Sequence, residues 1–153
     1  MDLSARIMKP LTKLAKTFCR PKPSPNPRAP LKRAKTVSEK DVVSLFLADS
    51  FKEKGQYESA QAEYRSLVQK SQDDAILEEA YTALAEIDLY GEKYDEAQEN
   101  ISHVLALNDN SAQAHYLSGN VFEKKGDLIS ARREWRLALK IDPKHIGAIE
   151  KLY

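Results

Sequence analysis

Three histidines are the residues of this chain whose chemistry would best suit metal binding or acid–base catalysis. His103, His115 and His145 occupy dissimilar positions, and none has acidic or cysteine neighbours at metal-ligand spacing. Adjacent acids such as Asp73 and Asp74 fit a solvated helix surface. The sequence also has no glycine-rich phosphate loop, no nucleophile elbow and no CxxC pair. We therefore expect a protein without enzymatic activity, bound metal or cofactor.

Binding chemistry is indicated instead at the N-terminus, where residues 1–20 form a basic amphipathic pattern interrupted by Pro10. One helical face carries the apolar residues Leu3, Ile7, Leu11, Leu14 and Phe18. The basic residues around it include Arg6, Lys9, Lys13 and Lys16. We call residues 1–20 the anchoring arm. Such a helix can lie on an anionic membrane, enter a partner's groove or act as a transit peptide, and the remaining interpretation is a weakly helical tail without a docking role.

Residues 21–37 are predicted to be a basic, proline-rich linker. Its first fifteen residues, 21–35, contain five prolines and five basic residues, which favours an extended conformation. No aromatic residue alternates with the basic ones, so there is no platform on which bases could stack. Such a run can be a ligand for proline-binding domains or can lie on phosphates, but a solvated spacer is favoured, and specific nucleic-acid recognition is not expected.

Charge divides the chain into two unlike parts. Residues 1–40 contain eleven Lys or Arg and two acids, a net charge of +9. Residues 41–153 contain thirteen Lys or Arg and twenty-one acids, a net charge of −8. Cys19 is the only cysteine, so the chain cannot form an intramolecular disulfide, and a reducing compartment such as the cytoplasm is expected. No apolar run approaches the length that spans a bilayer, about 20 residues.

The elements that would position any site are best seen in residues 112–145. Small residues occur at Gly119 and Ala131, where two helices could approach closely, and Gly126 provides a turn. Pro143 ends the second helix. Bulky residues fill the spaces between these points: Leu117, Phe122, Leu128, Trp135 and Leu139. The pattern predicts two amphipathic helices joined by a tight turn.

The same spacing recurs in residues 41–74 and 78–111. The alanines predicted at the close helix contacts, Ala60, Ala97 and Ala131, are 37 and then 34 residues apart. The three additional residues, 75–77, are expected to lengthen a helix by almost one turn. The second copy departs from the pattern at Asp88, where a bulky aromatic is usual. Residues 146–153 are predicted to form a short capping helix with Ile146, Ile149 and Leu152 on one face.

Three tandem copies of this spacing resemble the tetratricopeptide repeat, a 34-residue helix-turn-helix unit. The resemblance implies an all-α fold: an α-solenoid of three repeats, with a short C-terminal capping helix and the basic N-terminal arm. The repeat domain is then residues 38–153, with repeats 41–74, 78–111 and 112–145 and the cap 146–153. Ser38 is expected to cap the first helix.

The resemblance also implies a concave groove, lined by the first helix of each repeat, that binds an extended or helical peptide. The groove positions carried over to this chain are Val42, Leu45, Asp49 and Lys52 in the first repeat, Glu79, Thr82, Glu86 and Leu89 in the second, and Gln113, Tyr116, Asn120 and Glu123 in the third. Among these, Asp49, Glu86 and Glu123 would form an acidic track. His115 takes the place of a bulky apolar residue, which predicts a packing role for its side chain.

Repeats of this family that grip the C-terminal carboxylate of chaperones require lysine, asparagine and arginine at defined positions. This chain has other residues at those positions: Leu45, Asp49, Ala83, Gln113 and Leu117. A chaperone-binding role of that type is therefore not expected.

Two main functions remain open at this point, beside a less favoured third, a repeat-type co-chaperone for secretion or membrane-complex assembly. The first is a protein–protein interaction adaptor, whose groove binds a basic or amphipathic segment and whose arm anchors it to a membrane or a complex. The second is a permanent structural or assembly subunit of a larger protein complex, membrane complexes included. Both predict protein partners and peripheral contact, at most, with an anionic membrane.

Overall fold

The computed structural model describes residues 37–153, so the anchoring arm 1–20 and nearly all of the linker 21–37 lie outside the described residues. Residues 37–153 form seven α-helices and no strand. In chain order these are α1 Glu39–Glu53, α2 Tyr57–Lys70, α3 Asp74–Tyr90, α4 Tyr94–Leu107, α5 Ala112–Lys124, α6 Leu128–Ile141 and α7 Ile146–Leu152. The all-α solenoid is therefore confirmed, whereas the exact domain and repeat limits stay predictions.

Consecutive helices pack against each other along the whole described chain, and α1, α3 and α5 also touch one another in series. Each of these three helices is followed by a short turn and a second helix, α2, α4 or α6. Because the turns are only a few residues long, the two helices of a pair must run in opposite directions. One surface of the domain is consequently built from α1, α3 and α5.

Two of the tight turns depend on glycine in the left-handed region. Gly55 has a φ of 73° and Gly126 a φ of 86°, a conformation that costs glycine little. In the middle pair the left-handed residue is Glu92, with a φ of 60°, while the preceding Gly91 has an ordinary φ of −81°. Gly91, which lies one place earlier in the second repeat than the turn glycines of the other two, is thus not the residue that makes the turn.

Helix starts are capped unevenly. Ser38 is at the N-cap position of α1, as predicted, but its side chain makes no capping hydrogen bond. The Asp73 carboxylate accepts from two backbone N–H groups at the start of α3, and Ser111 and Asp127 cap α5 and α6 in the same manner. Helix α3 has 17 residues, the longest of the described helices, which agrees with the predicted extension at residues 75–77.

Small residues do lie at the closest helix contacts. Ala60, Ala97 and Ala131 have no exposed surface. Large side chains fill the space beside them, with Tyr64 fully buried in the first pair and Trp135 almost fully buried in the last. The core is therefore a run of alanines flanked by aromatic and branched residues, and it follows the repeat spacing.

Three apolar residues at the C-terminal end of the fold are exposed, among them Leu128, which was expected to pack between the helices. Leu128 is 53% exposed, Ile146 71% and Ile149 37%. Helix α7 buries Ala148 against α6 and rests Leu152 partly on the same cluster, so its isoleucines face away from it. The cap therefore leaves part of its apolar surface exposed at Ile146 and Ile149, because close packing on α6 is made through the smaller alanine.

A buried polar network replaces the expected aromatic residue in the middle of the fold. Asp88 on α3 is 1% exposed. Its carboxylate accepts hydrogen bonds from Gln61 Nε2 on α2, at 2.6 Å, and from Asn100 Nδ2 on α4, at 2.8 Å. Burial raises the pKa of Asp88, although Arg65 and the Asn100 hydrogen bond oppose that rise. Asp88 thus links three helices through polar contacts.

We expect the free energy of unfolding of Asp88→Asn, relative to that of the wild type, to increase as the pH rises above about 4. A carboxyl whose pKa is raised by folding binds its proton more tightly in the folded state, so it favours folding at low pH and loses that contribution as pH rises through the folded pKa. Urea unfolding of both proteins between pH 4 and pH 7 measures this difference.

The matched control is Asp127→Asn. Hydrogen bonds from Ser130 lower the pKa of the Asp127 carboxyl, so its contribution has the opposite sign and is lost as pH falls through its folded pKa. Parallel pH curves for Asp88→Asn and the wild type would contradict the assigned role of the buried carboxyl.

Candidate functional site

Two adjacent depressions lie on the surface built from α1, α3 and α5. The first, which we call the acidic depression, has a volume of about 360 Å³. Its charged lining comprises four carboxylates and one lysine: Asp49, Glu78, Glu79, Glu86 and Lys52. Thr82, Gln113 and three other small residues, Ala75, Ala83 and Ser111, complete the wall. With ordinary protonation at pH 7, this lining has a net charge of −3 (four acids minus one lysine).

Asp49 is held in place by the core. The Tyr64 hydroxyl, buried between the helices, donates a short hydrogen bond to Asp49 Oδ1. Burial raises the pKa of Tyr64, and the neighbouring Asp49 carboxylate adds to the rise, so the phenol stays protonated as a donor. The carboxylate is thereby fixed at the wall of the acidic depression.

Glu86 is shared between two partners and joins three helices. Lys52 Nζ on α1 lies 2.8 Å from Glu86 Oε2, and Gln113 Nε2 on α5 donates to Oε1 at 3.0 Å. Both side chains of the ion pair remain about one-third exposed. The pair is therefore accessible to solvent, and it neutralises one of the four carboxylates.

The other two carboxylates are less constrained. Glu78 accepts a hydrogen bond from Asn108 Nδ2 at 3.1 Å. Glu79 is exposed, and among residues 37–153 it forms no ion pair. An acid that is already paired with a cation attracts a second cation less strongly, so Glu79 is the lining acid best placed to attract a cationic group of a ligand.

The second depression adjoins the first at Glu86 and has a volume of about 460 Å³. We call it the tyrosine depression, because Tyr90, Tyr94 and Tyr116 contribute to its wall beside Leu89. Glu123 is at its far side and is paired with Lys151 of α7, Nζ to Oε2 at 2.5 Å. This depression therefore combines apolar surface with charges that are largely neutralised.

Most of the predicted groove residues meet in these two depressions. Asp49, Lys52, Thr82 and Glu86 line the first, and Glu86, Leu89, Tyr116, Asn120 and Glu123 line the second. Leu45 is different, since it is buried in the core between α1, α2 and α3 and lines neither depression. Asn120 also has an internal role, because its Oδ1 accepts the Trp135 indole N–H at 3.2 Å.

The acidic track is consequently not a row of free carboxylates. Asp49, Glu86 and Glu123 each bind a side chain of their own domain. Glu79, which was predicted to lie in the groove, and Glu78, which was not, supply the less neutralised charge. The position of Glu78 at the start of the lengthened α3 was the available signal, because the additional helical turn extends the wall.

Two histidines make polar contacts within the domain, and only His145 contacts residues of the two depressions. His115 Nδ1 lies 2.8 Å from Glu134 Oε2, so its predicted packing role is incomplete. His145 caps α7, its ring lies 4.8 Å from that of Tyr116, and its Nε2 is 2.9 Å from Gln113 Oε1. Within residues 37–153, no group of three or more potential ligands is arranged to hold a metal ion.

None of the helices in the described part of the chain has both the length and the apolar character required to cross a membrane. Among curated proteins, no sequence matches the chain significantly.

Solved structures show the same fold at low sequence identity. MamA is 22% identical with a TM-score of 0.64, and the match covers 73% of this chain and 64% of that one. The Hsp90 co-chaperone Cns1 from Saccharomyces cerevisiae is 20% identical with a TM-score of 0.70, over 74% of this chain but only 37% of Cns1. This chain therefore spans less than two thirds of either protein.

A third similar structure was solved with a peptide. It is the first TPR of Spaghetti (RPAP3) bound to the HSP90 peptide SRMEEVD, 18% identical with a TM-score of 0.66, and the match covers 78% of this chain and 92% of that one. Across the sequence, residues 32–151 match the family model described as a tetratricopeptide repeat-like domain. This match covers most of the chain and agrees with the helical repeats, and the protein therefore belongs to the tetratricopeptide repeat-like family.

Proposed function

We propose that this protein is a non-enzymatic interaction adaptor whose acidic depression binds a basic or basic-amphipathic segment of a partner protein. The observation that carries this proposal is the lining of the acidic depression, with four carboxylates and one lysine on α1 and α3. Opposite charge would speed encounter and set the orientation of the segment. The adjoining tyrosine depression offers apolar surface for the rest of the ligand, and apolar contacts supply much of the net affinity.

The charge distinguishes this ligand from the peptide held by a structural relative. The Spaghetti domain was solved with SRMEEVD, whose last four residues include three acids. In this chain the carboxylates of Glu78, Glu79 and Asp49 would repel such a peptide, and the lysine and asparagine of the chaperone-gripping repeats are replaced by Leu45 and Asp49. A basic segment is therefore favoured over an acidic C-terminus.

Isothermal titration of the full chain with two synthetic peptides tests the proposed ligand class. The first peptide has the sequence of residues 1–20 of this protein, which holds five basic residues and one acid, and the second is SRMEEVD. We expect binding of the first, weakening between low and physiological salt, and no binding of the second. Preference for SRMEEVD would sink the proposal.

The anchoring arm completes the proposed adaptor by attaching it to a membrane or a complex, in the cytoplasm. We expect deletion of residues 1–35 to remove that attachment and to leave the melting temperature of the repeat domain unchanged, because proline-rich sequence buries little apolar surface. Differential scanning calorimetry and cell fractionation of the two forms measure both effects. A fall of several degrees would mean that the arm contributes to the folded core.

A permanent structural subunit is the second candidate, and the outer face of α1 favours it. Val43, Phe46 and Leu47 are 66%, 68% and 45% exposed and fall on one side of the helix. Apolar side chains grouped in this way are typical of interfaces that remain covered. If this candidate is correct, Phe46→Glu will release the protein from its native complex on size-exclusion chromatography of a cell extract. An adaptor with exchangeable ligands predicts an unchanged elution profile.

A further inference from the structure

Helix α6 exposes a stripe of positive charge that the groove does not use. Its members are Arg132, Arg133, Arg136 and Lys140, all exposed to solvent, with Ile129 at the N-terminal end of the same stripe. Residues 129, 132, 133, 136 and 140 recur at helical spacings of three and four, which places them on one side of the helix. The opposite side of α6 packs into the core through Ala131, Trp135 and Ala138. We call this surface the cationic stripe.

No acid of α6 balances this charge. The only carboxylate within the helix is Glu134, which is 16% exposed in its side chain and paired with His115 of α5. None of the four cations forms an ion pair with any residue of 37–153. Asp127, just before the helix, is engaged in capping through Ser130. The cationic stripe is thus free to meet an external anionic surface.

Apolar side chains lie beside the charges and are more exposed than any core function would explain. Ile129 is 85% exposed and Leu128 is 53% exposed, at the first turn of α6. A helix that presents arginines and lysines together with isoleucine or leucine suits the boundary between lipid headgroups and acyl chains. We propose that the cationic stripe is a peripheral membrane-binding surface that takes anionic phospholipid headgroups, with Ile129 and Leu128 entering the interface.

Three features favour a membrane over other anionic partners. The stripe lies along the outside of a helix of 14 residues, about 21 Å long, so it can lie flat on a planar surface. It exposes no aromatic residue, since Trp135 is buried, and so lacks a stacking surface for bases. The two exposed apolar residues would gain from acyl chains, whereas an acidic peptide would leave them in water.

The net charge of −8 over residues 41–153 does not prevent this contact. At an ionic strength of 0.1 M, charges are screened beyond about 10 Å, so a membrane senses mainly the groups nearest to it. The carboxylates of the acidic depression are on α1 and α3, whereas α6 packs mainly against α5 and α7. The domain would therefore bind with the cationic stripe oriented towards the membrane.

Vesicle sedimentation of the full chain provides the first test. Vesicles of an equimolar mixture of phosphatidylcholine and anionic phosphatidylglycerol are compared with vesicles of phosphatidylcholine alone. Each basic residue near an anionic surface contributes about fivefold to binding. Substituting Gln at Arg132, Arg133, Arg136 and Lys140 should lower the partition coefficient at least tenfold. The control removes the same charge elsewhere, by Gln at Lys40, Lys54, Lys70 and Lys124, and should retain most of the binding.

The N-terminal arm is also basic, so a local probe is needed as well. An environment-sensitive dye is attached at Ile129→Cys, or for comparison at Ser102→Cys on α4, both in a Cys19→Ser chain. We expect anionic vesicles to shift the dye emission to the blue at position 129 and not at 102. Poly-glutamate is added in a parallel titration as a soluble anionic polymer. The proposal is overturned if the dye at position 129 does not respond while the protein sediments with vesicles, or if both quadruple variants lose vesicle binding equally. It is also overturned if the stripe binds poly-glutamate but not anionic vesicles.

Discussion

Replacing Trp135 with alanine is expected to lower the free energy of unfolding by about 3–5 kcal/mol, the largest effect of any single substitution considered for this fold. Trp135 is 3% exposed and packs with Ala131, Ala138 and Ala148, so it joins α6 to α7. Its indole N–H donates to Asn120 Oδ1 on α5. Truncation would leave a cavity between three helices and an amide oxygen without its partner.

The Trp135 ring also leaves no room for a side chain at Gly119 on the facing helix α5. A Cβ built on Gly119 would lie 2.5 Å from Trp135 Cδ1, closer than packed atoms allow. Gly119→Ala is therefore expected to cost about 1–3 kcal/mol from overpacking. In the Trp135→Ala background the ring is absent, and the additional cost of Gly119→Ala should fall below about 0.5 kcal/mol.

Urea unfolding of the two single variants and the double variant measures this coupling. Gly91→Ala is the matched control, because the nearest atom to its Cβ would be 3.5 Å away, which is ordinary contact. If Gly119→Ala costs the same with and without the tryptophan ring, the close approach of α5 and α6 at this point is contradicted.

The repeat spacing accounts for why the helices and their closest contacts could be predicted. Ala60, Ala97 and Ala131 are fully buried where the spacing placed them, and Gly55 and Gly126 occupy left-handed turns. These features depend on backbone approach and backbone conformation, which constrain residue type strongly. Positions of this kind are therefore visible in a single sequence.

Side-chain pairing between repeats could not be predicted in the same way. Lys52 and Glu86 are 34 residues apart, and Lys151 and Glu123 are 28 apart. Whether such pairs meet depends on how each helix pair rotates relative to the next, which sequence spacing does not specify. Both lysines form ion pairs with groove acids, and these ion pairs reduce the net negative charge of the acidic track.

Asp88 shows a different limit of sequence reasoning. Its deviation from the repeat pattern was recognised, but its burial with Gln61 and Asn100 depends on residues from α2 and α4 that supply the donors. A polar residue at a core position requires such partners, so a search for amides one helix away was the available signal. Leu45 illustrates the converse. Its place in the repeat predicted a groove residue, but its side chain packs in the core.

The second large effect is expected in the acidic depression. Glu79→Lys converts its exposed, unneutralised carboxylate into a cation, so we expect the affinity for the peptide of residues 1–20 to fall at least tenfold at low salt. Glu99→Lys makes the same charge change on the exposed surface of α4 and should leave the affinity within about twofold, because it lies outside both depressions.

The most direct measurement is the affinity of the Lys52→Gln variant for that same peptide. This substitution releases Glu86 from its 2.8 Å ion pair and makes the acidic depression one charge more negative. Binding should strengthen about threefold or more at low salt, a gain that a misfolded variant would not show. Arg132→Gln changes the net charge equally on α6 and should not alter the affinity. Unchanged or weaker binding by Lys52→Gln, with the fold intact by circular dichroism, would contradict the assignment of the acidic depression as the binding site.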